Sequence, residues 1–195
     1  MSCVPFIVKH ERQDMTHLPI WYLGKLPVEV CDQARQELMA MPMQAAAMGI
    51  NGDVKIESQR STDVVFAPFD FWLGKEMEQH AAQANKECGW DYDMPSREAI
   101  QFAQYGVGQH YDWHVDIFPL AGKPTDRKVT VVCLLNDPAE FEGGNFQIRL
   151  YSEYIAPLEK GSIIAFPSIL EHRVTPVTSG VRYSATMWFH GPRFK

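Results

Sequence analysis

Three residues in this chain have side chains suited to holding a metal ion, and a fourth suits an acid. His114 and Asp116 sit one residue apart in the stretch HYDWHVDIF. Further along, His172 follows an apolar run in AFPSILEHRVTPV, and Arg182 follows it in SGVRYSATMWF. A strand places residues two apart on one face, so a His-x-Asp pair there can aim both ligands into one cavity. An isolated pair of this kind occurs by chance in many sequences. Two histidines and one carboxylate on a β scaffold form a three-ligand set that covers one face of an octahedral ion and leaves the opposite positions open. A closed four-ligand zinc site leaves none, so the open set points to chemistry rather than to structural support.

Such ligands need a rigid frame, and the second half of the chain has the texture of one. EAIQFAQY, KVTVVCLLN, NFQIRLY, SIIAFP, HRVTPV and RYSATMWFHG are short runs rich in β-branched and aromatic residues, separated by Gly, Pro, Asn or Asp. That pattern reads as antiparallel strands joined by turns. Upstream, Val30, Ala34, Leu38 and Met41 recur at helical spacing, which predicts an amphipathic helix over 27–48 whose regular part Pro42 kinks or ends. Trp72, Leu73, Met77, Ala81 and Ala84 predict a second helix over 69–88, with Gly89 as its stop. The segment DVKIESQRSTDVVFAP between them reads as extended. Strands preceded by two helices give an α+β protein with a β-sandwich or barrel core and N-terminal supporting helices.

Composition narrows the function classes. A chain of 195 residues is long enough for one sizeable core and short for two. The 46% hydrophobic and 22% charged residues are those of an ordinary globular protein, and no apolar run approaches the roughly 18 residues of a membrane helix. The first residues carry no basic leader followed by an apolar run, so the expected location is the cytoplasm, a host cytoplasm if the gene belongs to a phage. Four cysteines, Cys3, Cys31, Cys88 and Cys133, form no CxxC pair, which argues against a zinc knuckle or a disulfide framework. A formal net charge of −6 disfavours a nonspecific grip on nucleic acid, which rests on clustered cations.

QFAQYGVGQHYDWHVD, RKVTVVCLLND with FEGGNFQI and its paired glycines Gly143 and Gly144, and KGSIIAFPSILEHRVTPVTSGVRYSATMWFHGP follow one another across about 97–192. In order and spacing this half of the chain resembles the 2-oxoglutarate and Fe(II)-dependent dioxygenases, in particular the prolyl 4-hydroxylase-like branch of phages and bacteria. The resemblance implies one domain over 1–195, with helical support over about 20–95 and a double-stranded β-helix (jelly-roll, cupin-like) core over about 97–192. It implies that His114, Asp116 and His172 hold Fe(II), and that Arg182 meets the distal carboxylate of 2-oxoglutarate, with Ser184 and Tyr105 as further cosubstrate contacts. A planar guanidinium suits that role because it can meet a carboxylate through two charge-assisted hydrogen bonds. Where prolyl hydroxylases often carry a tyrosine for the same carboxylate, this chain has Leu134.

The activity implied is hydroxylation of a prolyl residue in a peptide or protein, coupled to conversion of 2-oxoglutarate and O₂ to succinate and CO₂, with ascorbate as a reductant. Trp113 and Trp188 are candidate substrate contacts or core residues, and 50–68 is a candidate lid or a plain edge strand. A nucleic-acid- or small-molecule-modifying oxygenase shares every metal and cosubstrate residue, and a non-catalytic binding module of the same fold remains open.

Overall fold

Residues 129–135 of the chain are apolar on nearly every position, and their alternation explains the architecture. Val129, Val131, Cys133 and Leu135 pack in a core shared with two helices, while Val132 packs in a different core between two sheets. Neighbouring strands repeat the pattern, with Ile163 and Ala165 towards the helices and Ile164 and Phe166 towards the opposite sheet. A strand buried on both faces reads as a continuous apolar run because successive side chains leave on opposite sides.

The computed structural model describes residues 20–46, 58–117, 124–150, 152–156 and 158–194. In chain order the elements are β1 (Tyr22–Lys25), α1 (Val28–Met39), β2 (Gln44–Ala45), β3 (Arg60–Ser61), β4 (Asp63–Phe66), α2 (Leu73–Glu87), β5 (Ser96–Arg97), β6 (Gln101–Tyr105), β7 (His110–His114) and β8 (Thr125–Leu134). A 3-10 turn at Pro138–Glu140 leads to β9 (Phe141–Gly143), β10 (Phe146–Arg149), β11 (Glu153–Ile155), β12 (Ser162–Pro167), β13 (Glu171–Val174), β14 (Val177–Gly180) and β15 (Arg182–Pro192). One sheet runs β1-β12-β8-β15-β6-β4-β2 with β5 also on β15; a second runs β11-β10-β13-β7-β3, and β14 pairs with β9. All the pairings are antiparallel. The result is the α+β, jelly-roll architecture, with both helices against the outer face of the larger sheet.

The helices are where their periodicity places them, with shorter bounds. Cys31, Ala34 and Leu38 of α1, and Leu73, Met77, Ala81 and Ala84 of α2, are buried at helical spacing. Each fully buried Leu or Met contributes roughly 1.5–3 kcal/mol. The first helix ends at Met39, and Gln44–Ala45 is a strand paired to Val64 and Asp63. The expectation of helix to 48 fails here because Pro42 has no N–H to donate and disfavours helical backbone at its predecessor. Residues 47 and 48 lie outside the described residues. The second helix begins at Leu73 because Pro68–Phe71 forms a turn instead, with Phe71 N–H donating to Pro68 O at 2.9 Å. Gly89 follows its last turn with φ +64°, a conformation that favours glycine. The run HRVTPV splits at Pro176 into β13 and β14, and only β13 stays in the second sheet.

Of the stretch 50–68, residues 50–57 lie outside the described residues. The remainder carries β3 and β4, which pair with β7 and β6. Among the described residues no helix is long and apolar enough to cross a membrane.

Candidate metal centre and its cavity

His114 and His172 are direct cross-strand partners where β7 meets β13, and opposed positions in an antiparallel pair bring side chains close enough to share a ligand. Their ring centroids lie 4.1 Å apart. Each ring is held by its own strand: His114 Nδ1 is 2.7 Å from Asp112 O, and His172 Nδ1 is 3.0 Å from Leu170 O. A backbone carbonyl accepts only from an N–H, so both rings donate from Nδ1 and turn Nε2 towards the cavity.

Both Nε2 atoms face Asp116, at 3.8 Å from His114 to Oδ1 and 3.3 Å from His172 to Oδ2. All three ligand atoms lie within 4.8 Å of one another. Asp116 lies beyond the end of β7, in a bend, so the simple strand geometry behind the His-x-Asp reading does not place it. The bend is fixed instead by Asp116 N–H donating to Ser168 O at 3.0 Å and by Thr130 Oγ1 donating to Asp116 Oδ2 at 2.8 Å. Thr130 Oγ1 is also 2.9 Å from Ser168 Oγ. These partners orient the carboxylate as outer-shell groups do around bound metals.

Charge is arranged for a cation. Burial, reinforced by His172, lowers the His114 pKa to about 3, so the ring is neutral and able to ligate at neutral pH. Burial alone would raise the Asp116 pKa, yet the two histidines and Arg127 hold it well below the usual carboxylate range. Two imidazole nitrogens and one carboxylate fit Fe(II) and related divalent ions of mixed nitrogen and oxygen preference. The described cysteines, Cys31, Cys88 and Cys133, are buried elsewhere in the core that backs the helices.

The cavity over this triad runs into the larger sheet, where Gln101, Tyr105, Arg182, Ser184, Thr186 and Trp188 line it. Alternation along β15 turns Arg182, Ser184, Thr186 and Trp188 inward while Tyr183, Ala185, Met187 and Phe189 pack in the helix-side core. Arg182 is fully buried, and burial lowers its pKa. Its Nη1 donates to Ser184 Oγ at 2.9 Å, its Cζ lies 5.5 Å from the centroid of the Tyr105 ring, and its buried Nη2 has no partner among the described residues. An unpaired buried donor of this kind is costly unless an acceptor completes it. Arg182 also borders a second cavity of about 190 Å³, together with Leu134, Gly143 and Gly144. Gly144 has φ +57°, and a Cβ there would lie 3.0 Å from Arg182 Cδ, so the second glycine of the GG pair makes room for the arginine.

The structure therefore brings His114, Asp116, His172, Tyr105, Arg182, Ser184 and Trp188 to one cavity. Trp113 is not among the residues lining that cavity: Arg149 and Arg173 lie over its ring, at 4.3 and 4.6 Å. Trp188 is 6% exposed, with Arg127 over its ring at 4.0 Å and a buried Nε1 lacking a partner among the described residues. Sequence reasoning missed Arg60, Tyr111 and Gln101 of the lining and Thr130 and Ser168 behind Asp116. A cation within the extended QRSTDVVF run was the available signal for Arg60.

Residues 100–190 match the profile of the 2OG-Fe(II) oxygenase superfamily. A PKHD-type hydroxylase of Picosynechococcus sp. is 39% identical over 115 residues, 58% of this chain and 52% of that protein. One of Janthinobacterium sp. is 34% identical over 92 residues, 45% of this chain and 41% of that one. The chain thus spans about half the length of the curated relatives it matches. Among solved structures, a Pseudomonas putida prolyl-4-hydroxylase superposes with TM-score 0.69 at 22% identity, covering 92% of this chain and 95% of that one. A Trichoplax adhaerens prolyl hydroxylase, in complex with a hypoxia inducible factor peptide fragment, superposes with TM-score 0.70 at 16% identity, covering 88% and 84%. At these identities the structures show a shared fold. The profile match makes residues 100–190 similar in sequence to the 2OG-Fe(II) oxygenase superfamily. The described fold is that of the solved prolyl hydroxylases.

Proposed function

We propose that this protein is an Fe(II)- and 2-oxoglutarate-dependent dioxygenase that hydroxylates prolyl residues in a peptide or protein. The observation that carries the reading is one cavity with a three-ligand face at one end and a buried, incompletely paired guanidinium at the other. His114, Asp116 and His172 would hold the iron. Arg182, steadied by Ser184 and the Tyr105 ring, would hold the distal carboxylate of 2-oxoglutarate, with Leu134 adding no polar group. When bound, iron with 2-oxoglutarate and O₂ supplies hydroxylation of a C–H bond coupled to decarboxylation of the keto acid to succinate and CO₂.

This chain's own residues bind and orient. The Asp112 and Leu170 carbonyls fix the two imidazoles, Thr130 and Ser168 fix the carboxylate, and no side chain need move a proton to the substrate carbon. Phe146, Val132, Val174 and Trp188 line the walls and limit water around the reacting groups. The PKHD-type and prolyl hydroxylase relatives, one of them solved with a peptide, support a prolyl peptide as substrate. The site works in whichever compartment supplies these cosubstrates, and the reading keeps the cytoplasm as its location and ascorbate as a reductant of idle iron.

The test incubates the purified protein with Fe(II), 2-oxoglutarate, ascorbate and proline-containing peptides under air. Succinate formed together with peptide carrying the mass of one added oxygen is the expected result. No succinate with any peptide, and no 2-oxoglutarate bound under anaerobic conditions, would overturn the reading.

A further inference from the structure

Arg60 is the second guanidinium of the cavity. Its Nε and Nη2 are buried without a hydrogen-bond partner among the described residues, as is Nη2 of Arg182. Arg60 lies on β3, the edge strand of the smaller sheet, directly opposite Tyr111 in register. Its Cζ lies 4.5 Å from the Tyr111 ring centroid, and the same ring stacks on His114 with centroids 3.4 Å apart. Arg60 is therefore one aromatic ring removed from a metal ligand, while Arg182 is on β15 of the other sheet beside Tyr105. All of them line one cavity.

Among the described residues no carboxylate forms an ion pair with Arg60. The nearest acid of the cavity, Asp116, is engaged by the two imidazoles and Thr130. Stacking on Tyr111 offsets part of the cost of keeping the cation there, but an aromatic face accepts no in-plane hydrogen bond, so Nε and Nη2 stay unpaired among the described residues. A guanidinium left in that state matches a planar two-oxygen acceptor. On the dioxygenase reading, on which this inference rests, 2-oxoglutarate would give its distal carboxylate to Arg182 and two oxygens of its keto-acid end to the metal; the single oxygen left over is not the two-oxygen acceptor that Arg60 Nε and Nη2 together match.

We propose that Arg60 is a specificity residue that selects a substrate bearing a carboxylate close to the carbon that is hydroxylated. The carboxylate is either the free terminus of the target residue or the side chain of a flanking acidic residue, and both present the same two oxygens.

The test is binding to the Mn(II)- and 2-oxoglutarate-loaded protein under anaerobic conditions, read by the relaxation that Mn(II) imposes on the NMR signals of the probe. The probes are paired acid and neutral compounds: N-acetyl-L-proline with its amide, Ac-Gly-Pro-Asp-Gly-NH₂ with its Asn twin, and Ac-Asp-Pro-Gly-NH₂ with its Asn twin. One acid should bind about tenfold more tightly than its neutral twin, the size of one charge-assisted contact. The first pair tests a terminal carboxylate and the others a side chain. Arg60→Gln should erase that preference and leave the neutral twin and 2-oxoglutarate unchanged, while Arg60→Lys restores part of it. No acid binding better than its twin, or a preference that survives in Arg60→Gln, overturns the proposal. Retained 2-oxoglutarate affinity in Arg60→Gln shows that the variant is folded. Failure of wild-type protein to bind 2-oxoglutarate at all overturns the dioxygenase reading instead; the acid preference is then read by calorimetry without metal.

Discussion

The two ends of the cavity are built by opposite strategies. At the metal end, the groups complete one another before any ion arrives: the imidazoles are tethered to backbone carbonyls, and Asp116 is held by Thr130 and faces both rings. At the anion end, Arg182 is fully buried; among the described residues Ser184 is its side-chain hydrogen-bond partner and its Nη2 has none. The first end sits where β7 finishes and β13 begins in the smaller sheet; the second sits at the start of β15 in the larger sheet, opposite Tyr105. The difference teaches that a metal site can be assembled from local tethers, whereas a carboxylate site is kept open by leaving a buried cation incomplete, which stability alone would not select.

The largest effect should come from breaking the metal end. Asp116→Ala should weaken Mn(II) or Fe(II) binding by at least about 100-fold, measured by metal titration, and abolish succinate formation, with circular dichroism little changed. Unaltered metal affinity would remove Asp116 from the ligand set. Breaking the anion end should separate the two: Arg182→Ala should weaken 2-oxoglutarate binding by about one to two orders of magnitude, from roughly 1.5–3 kcal/mol of charged hydrogen bonding, with metal affinity retained. The same contrast predicts that Arg182→Met unfolds without cosubstrate at a temperature no lower than wild type, because it removes an uncompensated buried charge. Thermal melts with and without 2-oxoglutarate check this, the wild type alone gaining from the ligand.

A smaller effect tests the tether behind Asp116. Thr130→Val keeps the volume but removes the hydroxyl that donates to Oδ2, and should cost roughly tenfold in metal affinity while leaving 2-oxoglutarate binding to pre-loaded protein unchanged. The smallest concerns acid stability. Glu98 is held by two neighbouring strands of the larger sheet, through Arg127 of β8, at 2.6 and 2.7 Å, and His190 of β15, at 2.6 Å. Burial would raise its pKa, but these partners lower it from the ordinary 4.5 to about 2. A folded pKa below the unfolded one contributes stability that is present above about 4.5 and is lost as pH falls towards 2. Glu98→Gln should therefore flatten the fall in melting temperature across that window and leave neutral-pH metal binding intact.

Much of this molecule is legible in its sequence. The runs rich in β-branched and aromatic residues mark strands such as β8, β12 and β15, and the spacing of buried residues marks α1 and α2. The HxD pair, the distal His172 and Arg182-x-Ser184 are the residues that meet in the cavity. Helix ends were less legible, because Pro42 and the Pro68 turn act through local backbone geometry against an apolar pattern that continues past them.

What the sequence by itself determined was therefore which side chains share a strand face, since that follows from local periodicity. What only the tertiary structure decided was which faces meet. Arg60 enters the cavity because β3 pairs with β7 in a register that sets it opposite Tyr111. Asp116 reaches the histidines because Ser168 and Thr130, from two other segments, hold a bend that strand geometry does not require. Trp113, although next to His114 in the chain, packs between Arg149 and Arg173, because successive strand residues leave on opposite faces. Pairing partners distant in sequence carry no signal in local periodicity; their register is fixed by hydrogen bonds and packing that exist only once the sheets are assembled.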